Sequence, residues 1–172
     1  MSNVGTQGRS YLSIDFDDLK RLAEIANQDR KEFFRTQPDW GKLYAQRVIC
    51  VALCQGAAMQ YIDGATGIND FDVYTFYKKH PKKNWYAKRI KSFDFGSPKF
   101  GKSVDKSDFI GRRVDCLSRS IDVNRKEDAI TAVRRYLAEG GTETARLLSA
   151  KAVILLEPYC GQIIWPLGSE RK

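Results

Sequence analysis

A short apolar segment, RVICVALC at residues 47–54, narrows the choice of folds more than any other part of the chain. It is rich in β-branched side chains and apolar on both faces, which is typical of a strand inside a sheet, with a buried helix as the alternative. After GAAMQYID (56–63), a short helix or turn, DFDVYTFY (70–77) alternates polar and apolar residues as a half-buried strand does. We therefore expect a sheet built around these two segments.

The other segments predict helices and strands around this sheet. Helical spacing of apolar residues predicts a helix that has Ser13 as its N-cap and ends at TQPDWGK (36–42). Asn124 and Glu127 form the pattern of a capping box for a helix to about Glu139, and a last helix leads into AVILLEP. Further strands are expected over RIKSFDF, RRVDCLSRSI and QIIW.

Together these elements predict one α/β (α+β) domain, a small mixed sheet flanked by helices, over residues 13–172. Residues 1–12 are expected to form a flexible N-terminal arm. In 172 residues, 42% hydrophobic and 12% aromatic residues suffice for a folded core. No apolar run approaches the roughly 20 residues of a membrane helix, and MSNVGTQGRS lacks the apolar core of a signal peptide, so a cytoplasmic protein without membrane contact is expected.

Cysteine and histidine chemistry finds little support. Cys50, Cys54, Cys116 and Cys160 lie in apolar contexts without a CxxC spacing, so we expect buried free thiols. His80 is the only histidine in the sequence. This argues against a structural zinc site and against a histidine-based hydrolase triad.

The net charge of +8 comes from one segment. Twelve of the 29 Lys and Arg residues, but only three of the 21 Asp and Glu residues, lie between Lys78 and Arg113, so this segment carries +9 and the rest of the chain −1. A solvated basic face is the simplest explanation, but the concentration of the surplus favours a polyanionic partner, either nucleic acid or nucleotide phosphates. Trp85 and Tyr86 are candidates for stacking on bases. The residues expected to contact a nucleic acid or another acceptor are Lys82, Lys83, Trp85, Arg112 and Arg113.

GSPKFGKS (96–103) fits the phosphate-loop pattern of Gly, four residues, Gly, Lys and Ser. That pattern binds phosphate between an apolar parallel strand and a helix that would begin at Lys102. The preceding IKSFDF alternates, and the following VDKSDFIGRRVDCL has no apolar stripe at helical spacing, so a connection between strands is expected instead. A P-loop NTPase using 96–103 is thus the weaker alternative. Otherwise Lys99 and Lys102 are expected at most to neutralise phosphate charge.

Asp70 and Asp72 lie two residues apart on the predicted strand, so both side chains leave the same face. Phe71 and Val73 point to the opposite face, where a core requires them. Two carboxylates about 7 Å apart along a strand can bind two divalent ions spaced about 3.5–4 Å, the arrangement of two-metal phosphoryl transfer. Oxygen ligands of this kind suit Mg2+. A solvated strand end is the alternative explanation of an isolated Asp-x-Asp.

Two further features accompany the acidic pair. Gly56 lies between the apolar strand and the next helix, 14 residues before Asp70, where a glycine lets backbone amides approach the terminal phosphates of a nucleotide. Asp115 lies in the middle of the predicted strand RRVDCLSRSI, where a buried acid is costly unless it is paired or binds a metal.

In this order (strand, Gly turn, helix, Asp-x-Asp strand, hairpin, single-Asp strand) residues 45–120 resemble the DNA polymerase beta-like nucleotidyltransferase superfamily, especially its minimal members. The resemblance rests on Gly56-Ala57, Asp70-Phe71-Asp72 and Asp115. It implies that Asp70 and Asp72 hold two Mg2+ ions and that the turn at Gly56 holds the triphosphate. It also implies that Asp115 completes one metal site and helps to activate the acceptor hydroxyl.

The chain departs from the pattern of that family at residue 57. Ala57 stands where the family has a small hydroxyl residue or a second glycine, which removes a phosphate hydrogen bond that a hydroxyl would make. Either Gln55 compensates, or activity is weak or lost. No C-terminal domain for gripping base and acceptor is evident, so recognition is expected to fall to residues 78–113 or to a partner protein.

We therefore expect a magnesium-dependent nucleotidyltransferase that moves a nucleoside monophosphate from an NTP, such as ATP, to a hydroxyl group. The acceptor is an RNA, a protein side chain or a small molecule. A non-catalytic domain of the same fold that binds nucleotide or RNA is the main alternative, supported by Ala57. A basic nucleic-acid-binding protein with structural acids is another. If the three acids form one site, they should converge within one coordination shell although Asp115 is more than 40 residues from Asp72 in sequence.

Overall fold

The computed structural model describes residues 8–85 and 90–172. Within them the helices are α1 (Phe16–Thr36), α2 (Pro38–Tyr44), α3 (Gln55–Asp63), α4 (Ala129–Glu139) and α5 (Glu143–Ser149), together with a 3-10 turn at Pro98–Phe100. The strands are β1 (Val48–Cys54), β2 (Phe71–Lys78), β3 (Lys91–Asp94), β4 (Arg113–Ile121), β5 (Val153–Glu157) and β6 (Ile163–Trp165). Helices and strands thus mix as in an α/β (α+β) fold, as the sequence predicts.

The six strands form one mixed sheet in the order β3-β4-β2-β1-β5-β6. Strands β2 and β4 run parallel, and the other neighbours are antiparallel. The apolar segment that contains β1 lies inside this sheet between β2 and β5, so the strand interpretation of RVICVALC is confirmed. A strand in this position needs apolar residues on both faces because both are covered.

Helices cover the two faces of the sheet. On one face, α1 and α3 pack on side chains such as Leu53, Phe71 and Val73, and all three are fully or almost fully buried. On the opposite face, α4 and α5 pack on the alternate residues of the same strands, among them Ala52 and Tyr74. Every second residue of β2 thus belongs to a different core, as the pleat of a strand requires.

A third apolar cluster joins the end of α1 and α2 to the end of β2. Trp85 stacks on Tyr77 at 4.5 Å between ring centroids and meets Tyr44 edge-on at 5.3 Å. Its other aromatic neighbours are Phe33, Phe34 and Trp40. Trp85 is 7% exposed, so the indole belongs to the interior.

The starts of two helices differ from the sequence prediction. Asp15, not Ser13, caps α1, because its carboxylate accepts the backbone N–H of Asp18 at 2.9 Å while Asp18 accepts that of Asp15 at 2.9 Å. The predicted bond from the backbone N–H of Asn124 to Glu127 exists at 3.0 Å but closes a turn, and Asp128 caps α4. The predicted caps are wrong by two and four residues because several neighbouring residues in each segment have side chains that can cap a helix.

Two other predictions concern the ends of elements. TQPDWGK does end α1, but Pro38 then begins the short helix α2 at a position where its missing N–H costs nothing. Of the predicted arm, residues 8–12 are described, and Ser10 exchanges two backbone hydrogen bonds with Ile68, of 2.8 and 2.6 Å. This part of the chain is therefore tied to the loop before β2.

Of the four cysteines, Cys50, Cys54 and Cys116 are buried free thiols as expected, whereas Cys160 is partly exposed. Among residues 8–85 and 90–172, none of the helices combines the length and apolar character needed to cross a lipid bilayer.

Candidate active site

The three predicted acids come together at one edge of the sheet. Asp72 of β2 and Asp115 of β4 are direct partners in the parallel pairing of these strands. Asp70 immediately precedes β2 and shares the parity of Asp72, so all three lie on the face that α4 and α5 cover. On its other side Asp72 pairs with Cys54, the last residue of β1 before α3. The acids thus adjoin the N-terminal end of α3.

The guanidinium of Arg113 lies among these acids. Its Nη2 donates to Asp70 Oδ2 at 2.6 Å, and its Nη1 donates to Asp105. Its Nε lies 3.2 Å from Asp115 Oδ2, close enough for an ion pair but without the geometry of a hydrogen bond. Burial opposes the charge on Arg113, but the carboxylates outweigh burial, so the pKa of the guanidinium is raised.

A small cavity opens beside this cluster. It has a volume of about 190 Å3 and is lined by Asn69, Asp70, Ser103, Val104, Asp105 and Arg113. The side chains of Asp70 and Asp115 are 20% and 13% exposed, so both are mostly buried, and of the two only Asp70 lines the cavity. Ser92 of β3 donates to Asp115 Oδ1 at 2.6 Å and thereby fixes the carboxylate from the neighbouring strand.

Asp72 has the most perturbed carboxyl group of the cluster. Burial raises its pKa to about 7, and the negative charges of Asp70 and Asp115 add to this increase. Arg113 and Lys151 oppose it only in part. A cation bound beside these carboxylates would relieve their mutual repulsion and lower the free-energy cost of ionising Asp72.

The turn between β1 and α3 does not depend on its glycine. Gln55, rather than Gly56, adopts the left-handed conformation, with φ 64°. A Cβ added to Gly56 would meet only the carbonyl oxygen of Gly67 at 3.9 Å, so the metal-free fold does not require glycine there. A left-handed non-glycine residue costs about 1–2 kcal/mol, and such strain is concentrated at functional sites.

Ala57 contributes to the core and not to the turn. It is 1% exposed and packs with the apolar cluster under α1 and α3. A hydroxyl at position 57 would therefore enter an apolar core rather than face a phosphate, so the departure from the family pattern at this residue has little meaning for the site. Lys151 is a better candidate for contacting a phosphate. Its side chain is exposed, its charge acts on Asp72, and it lies two residues before Val153, which pairs with Cys54 at the end of β1.

The segment GSPKFGKS lacks the surroundings of a phosphate loop. The strand before it, β3, is a four-residue edge strand antiparallel to β4, and residues 101–112 contain no helix. Lys99 is 2.6 Å from Asp18 and 3.1 Å from Asp15 at the start of α1, away from the acids, and Lys102 donates to Ser107 O at 3.3 Å. The segment therefore lacks both the parallel strand and the helix that a P-loop requires.

Asp94 holds that segment in place instead. Its carboxylate accepts backbone N–H groups from Gly96 at 2.9 Å, Ile110 at 2.7 Å and Gly111 at 2.8 Å. A Cβ on Gly111 would lie 2.2 Å from the carbonyl oxygen of Ser97, so only glycine allows this approach of the two ends. Gly96 and Gly111 thus serve a loop that joins β3 to β4.

The residues predicted to contact a nucleic acid do not form one surface. Trp85 is buried in the aromatic cluster, and Arg112 is 3% exposed and donates to Phe100 O and Asn69 O, so both are structural. Lys82 is exposed, and the ammonium of Lys83 lies 4.5 Å from the Trp40 ring centroid. Arg113 belongs to the acidic cluster. Tyr86 lies outside the described residues.

The donor chemistry of the cluster fits a hard divalent cation, because carboxylate oxygens are the ligands that Mg2+ prefers. As the side chains stand, the described part of the chain presents no three His, Cys, Asp or Glu residues arranged to hold a metal ion. In this arrangement Arg113 pairs with Asp70 and Asp115 and supplies positive charge beside both carboxylates. The residues that would hold the metal are Asp70, Asp72 and Asp115.

No family model matches the chain, and no curated protein and no solved structure is significantly similar to it.

Several residues of the site were not evident from the sequence. Asp105 lies 35 residues from Asp70 in a segment without periodicity, and Ser92 and Lys151 carry no motif. A weak signal existed for Arg113, because it precedes Asp115 by two on an alternating strand and must share its face. The basic composition of its segment indicates a nucleic-acid contact instead, which the structure does not show.

Proposed function

We propose that this protein is a nucleotidyltransferase that moves a nucleoside monophosphate from an NTP to an acceptor hydroxyl. The observation that carries the proposal is the direct pairing of Asp72 with Asp115 on neighbouring parallel strands, next to the end of β1 where α3 begins. This arrangement supports a site in which acids and backbone amides meet on one polyphosphate.

In the proposed reaction the acceptor oxygen forms a bond to the α-phosphorus, and the bond between this phosphorus and the oxygen bridging to the β-phosphate breaks. Pyrophosphate leaves with the electron pair of that bond. Asp115 is proposed to take the proton of the hydroxyl, and Ser92 orients its carboxylate by the 2.6 Å hydrogen bond. Lys151 and the turn at Gln55 and Gly56 are proposed to bind the terminal phosphates.

Asp70, Asp72 and Asp115 would hold two Mg2+ ions. When bound, magnesium would neutralise the phosphates and the charge that develops on the leaving group. The cluster supports this role because burial and mutual repulsion make Asp72 costly to ionise in the absence of a cation.

A test is to incubate the protein with each α-labelled NTP, Mg2+ and total cellular RNA or lysate. Label is expected to pass to a macromolecule or small acceptor with wild-type protein and not with Asp115→Asn. If no NTP yields a labelled product although nucleotide binds, the second candidate holds. This is a non-catalytic nucleotide-binding domain, and the ion pairs of Arg113, which neutralise the acids without metal, favour it.

The exposed lysines after β2 are proposed to contact an RNA acceptor far from the reacting end. Because a strand rises about 3.3 Å per residue, the turn at 81–84 lies roughly 20–25 Å from Asp72, beyond the reach of a bound NTP. Lys82→Glu/Lys83→Glu is therefore expected to weaken RNA binding about tenfold or more and to reduce its salt dependence, while NTP binding stays unchanged.

Filter binding at several salt concentrations measures this effect. Lys20→Glu/Lys31→Glu, which makes the same charge change on exposed positions of α1, serves as the control. An equal loss of RNA affinity in both variants, or an RNA affinity that does not depend on salt, would show that residues 78–83 are a solvated basic surface and not an RNA-binding site.

A further inference from the structure

Arg113 makes a different contact with each of its three nitrogens. Nη2 bonds to Asp70 Oδ2 at 2.6 Å, Nη1 bonds to Asp105, and Nε lies 3.2 Å from Asp115 Oδ2. Arg113 is the first residue of β4 and lies on the same face as Asp115, two residues later. It directly precedes Val114, which pairs with Phe71, the residue after Asp70. The backbone of β4 therefore places the guanidinium within reach of both carboxylates.

These contacts use the oxygens that a divalent cation would need. A guanidinium keeps its proton at any pH at which the protein folds, so it cannot yield the site by losing its charge. A metal ion and the guanidinium at the same oxygens would repel each other at short range. For metal to bind, the side chain of Arg113 must leave and must find another anion.

The side chain has such an exit. It is 23% exposed and lines the 190 Å3 cavity beside the acids. An entering phosphate offers two oxygens that the planar guanidinium can bind together. A polyphosphate also carries more negative charge than the exposed Asp105 does.

We propose that Arg113 makes metal binding conditional on polyphosphate binding: it competes with divalent cations for Asp70 and Asp115 and releases these acids when it pairs with a phosphate. This inference rests on the proposed function. It predicts that free cations bind the wild-type protein weakly and that the nucleotide, not the metal, first opens the site.

The test measures two affinities of the full chain after treatment with EDTA and dialysis. Mn2+ binding is followed from the electron paramagnetic resonance signal of the free ion, and pyrophosphate binding without divalent ions is followed by calorimetry. Arg113→Gln is expected to bind Mn2+ about tenfold more tightly than wild type and pyrophosphate about tenfold more weakly. Lys106→Gln is the control, because it removes one positive charge from the loop between β3 and β4, where the ammonium of Lys106 lies over the ring of Phe109. It should change neither affinity by more than about twofold.

Opposite changes in the two affinities are a signature that damage to the fold cannot produce. Arg113→Lys keeps the charge but loses the fork, so it should be intermediate in both measurements and serves if Arg113→Gln does not fold. If wild type binds Mn2+ and Arg113→Gln binds it no more tightly, the inference is wrong and the proposed function stands. If neither protein binds Mn2+ at millimolar concentration, the inference is wrong, because removal of Arg113 has not freed the acids for a metal, and the proposed function is then decided by the transfer of label from an NTP.

Discussion

Replacing Asp72 by asparagine is expected to abolish nucleotidyl transfer, by about 10³-fold or more, and at the same time to stabilise the metal-free protein above pH 7. Activity is lost because the site loses a central carboxylate of the proposed metal ligands, which is worth several kcal/mol in the transition state. Stability rises because Asp72 is held against burial and against the charges of Asp70 and Asp115.

The pH dependence of this stabilisation follows from the pKa of Asp72, which is about 7 in the folded protein and 3.8 as the ordinary value. The folded state holds this proton more tightly than the unfolded state does. Ionisation therefore costs stability progressively from about pH 4 to pH 7, and the whole cost is present above pH 7. The gain from Asp72→Asn should be small at pH 4 and about 4 kcal/mol at pH 8.

Urea unfolding in EDTA at these two pH values measures the gain. Asp39→Asn is the matched control, because that side chain is 97% exposed, and it should show no such difference. A variant that is less stable than wild type at pH 8 would contradict the electrostatic account of the cluster.

Trp85→Ala is expected to lower the free energy of unfolding by about 3–5 kcal/mol, the usual cost of removing a large buried aromatic side chain. The indole touches five other aromatic rings and stacks on Tyr77 at 4.5 Å. Urea denaturation followed by circular dichroism measures the loss. Trp40→Ala, at the half-buried rim of the same cluster, should cost less. Unchanged stability with a loss of RNA affinity would restore Trp85 as a base-stacking residue.

Much of the fold follows from local pattern. RVICVALC and DFDVYTFY each contain within eight residues the periodicity that decides strand and face, so β1 and β2 and the shared face of Asp70 and Asp72 are readable from sequence. The meeting of Asp72 with Asp115 is not local, because it depends on which strands pair and in which register. The expectation came from the resemblance alone, and the structure shows Asp72 and Asp115 as partners in the pairing of β2 with β4.

The basic residues show where sequence reasoning fails. Lys99, Arg112 and Arg113 look alike in a basic segment, yet their partners lie 81, 12 and 43 residues away in Asp18, Phe100 and Asp70. Charge composition describes a segment, whereas the role of each cation depends on the distant group that folding places beside it. The same applies to Trp85, because an aromatic residue among lysines is equally compatible with a core and with a nucleic-acid surface.

The anion released from an NTP tests the proposed chemistry most directly. Wild-type protein with Mg2+, NTP and an acceptor-containing extract is expected to release pyrophosphate, because attack at the α-phosphorus leaves the β- and γ-phosphates together. Lys102→Ala should retain most of this release, since Lys102 is exposed and bonds to Ser107 O. Asp70→Asn should lose about 10³-fold or more. Release of orthophosphate, with Lys102 indispensable and Asp70 dispensable, would contradict the account.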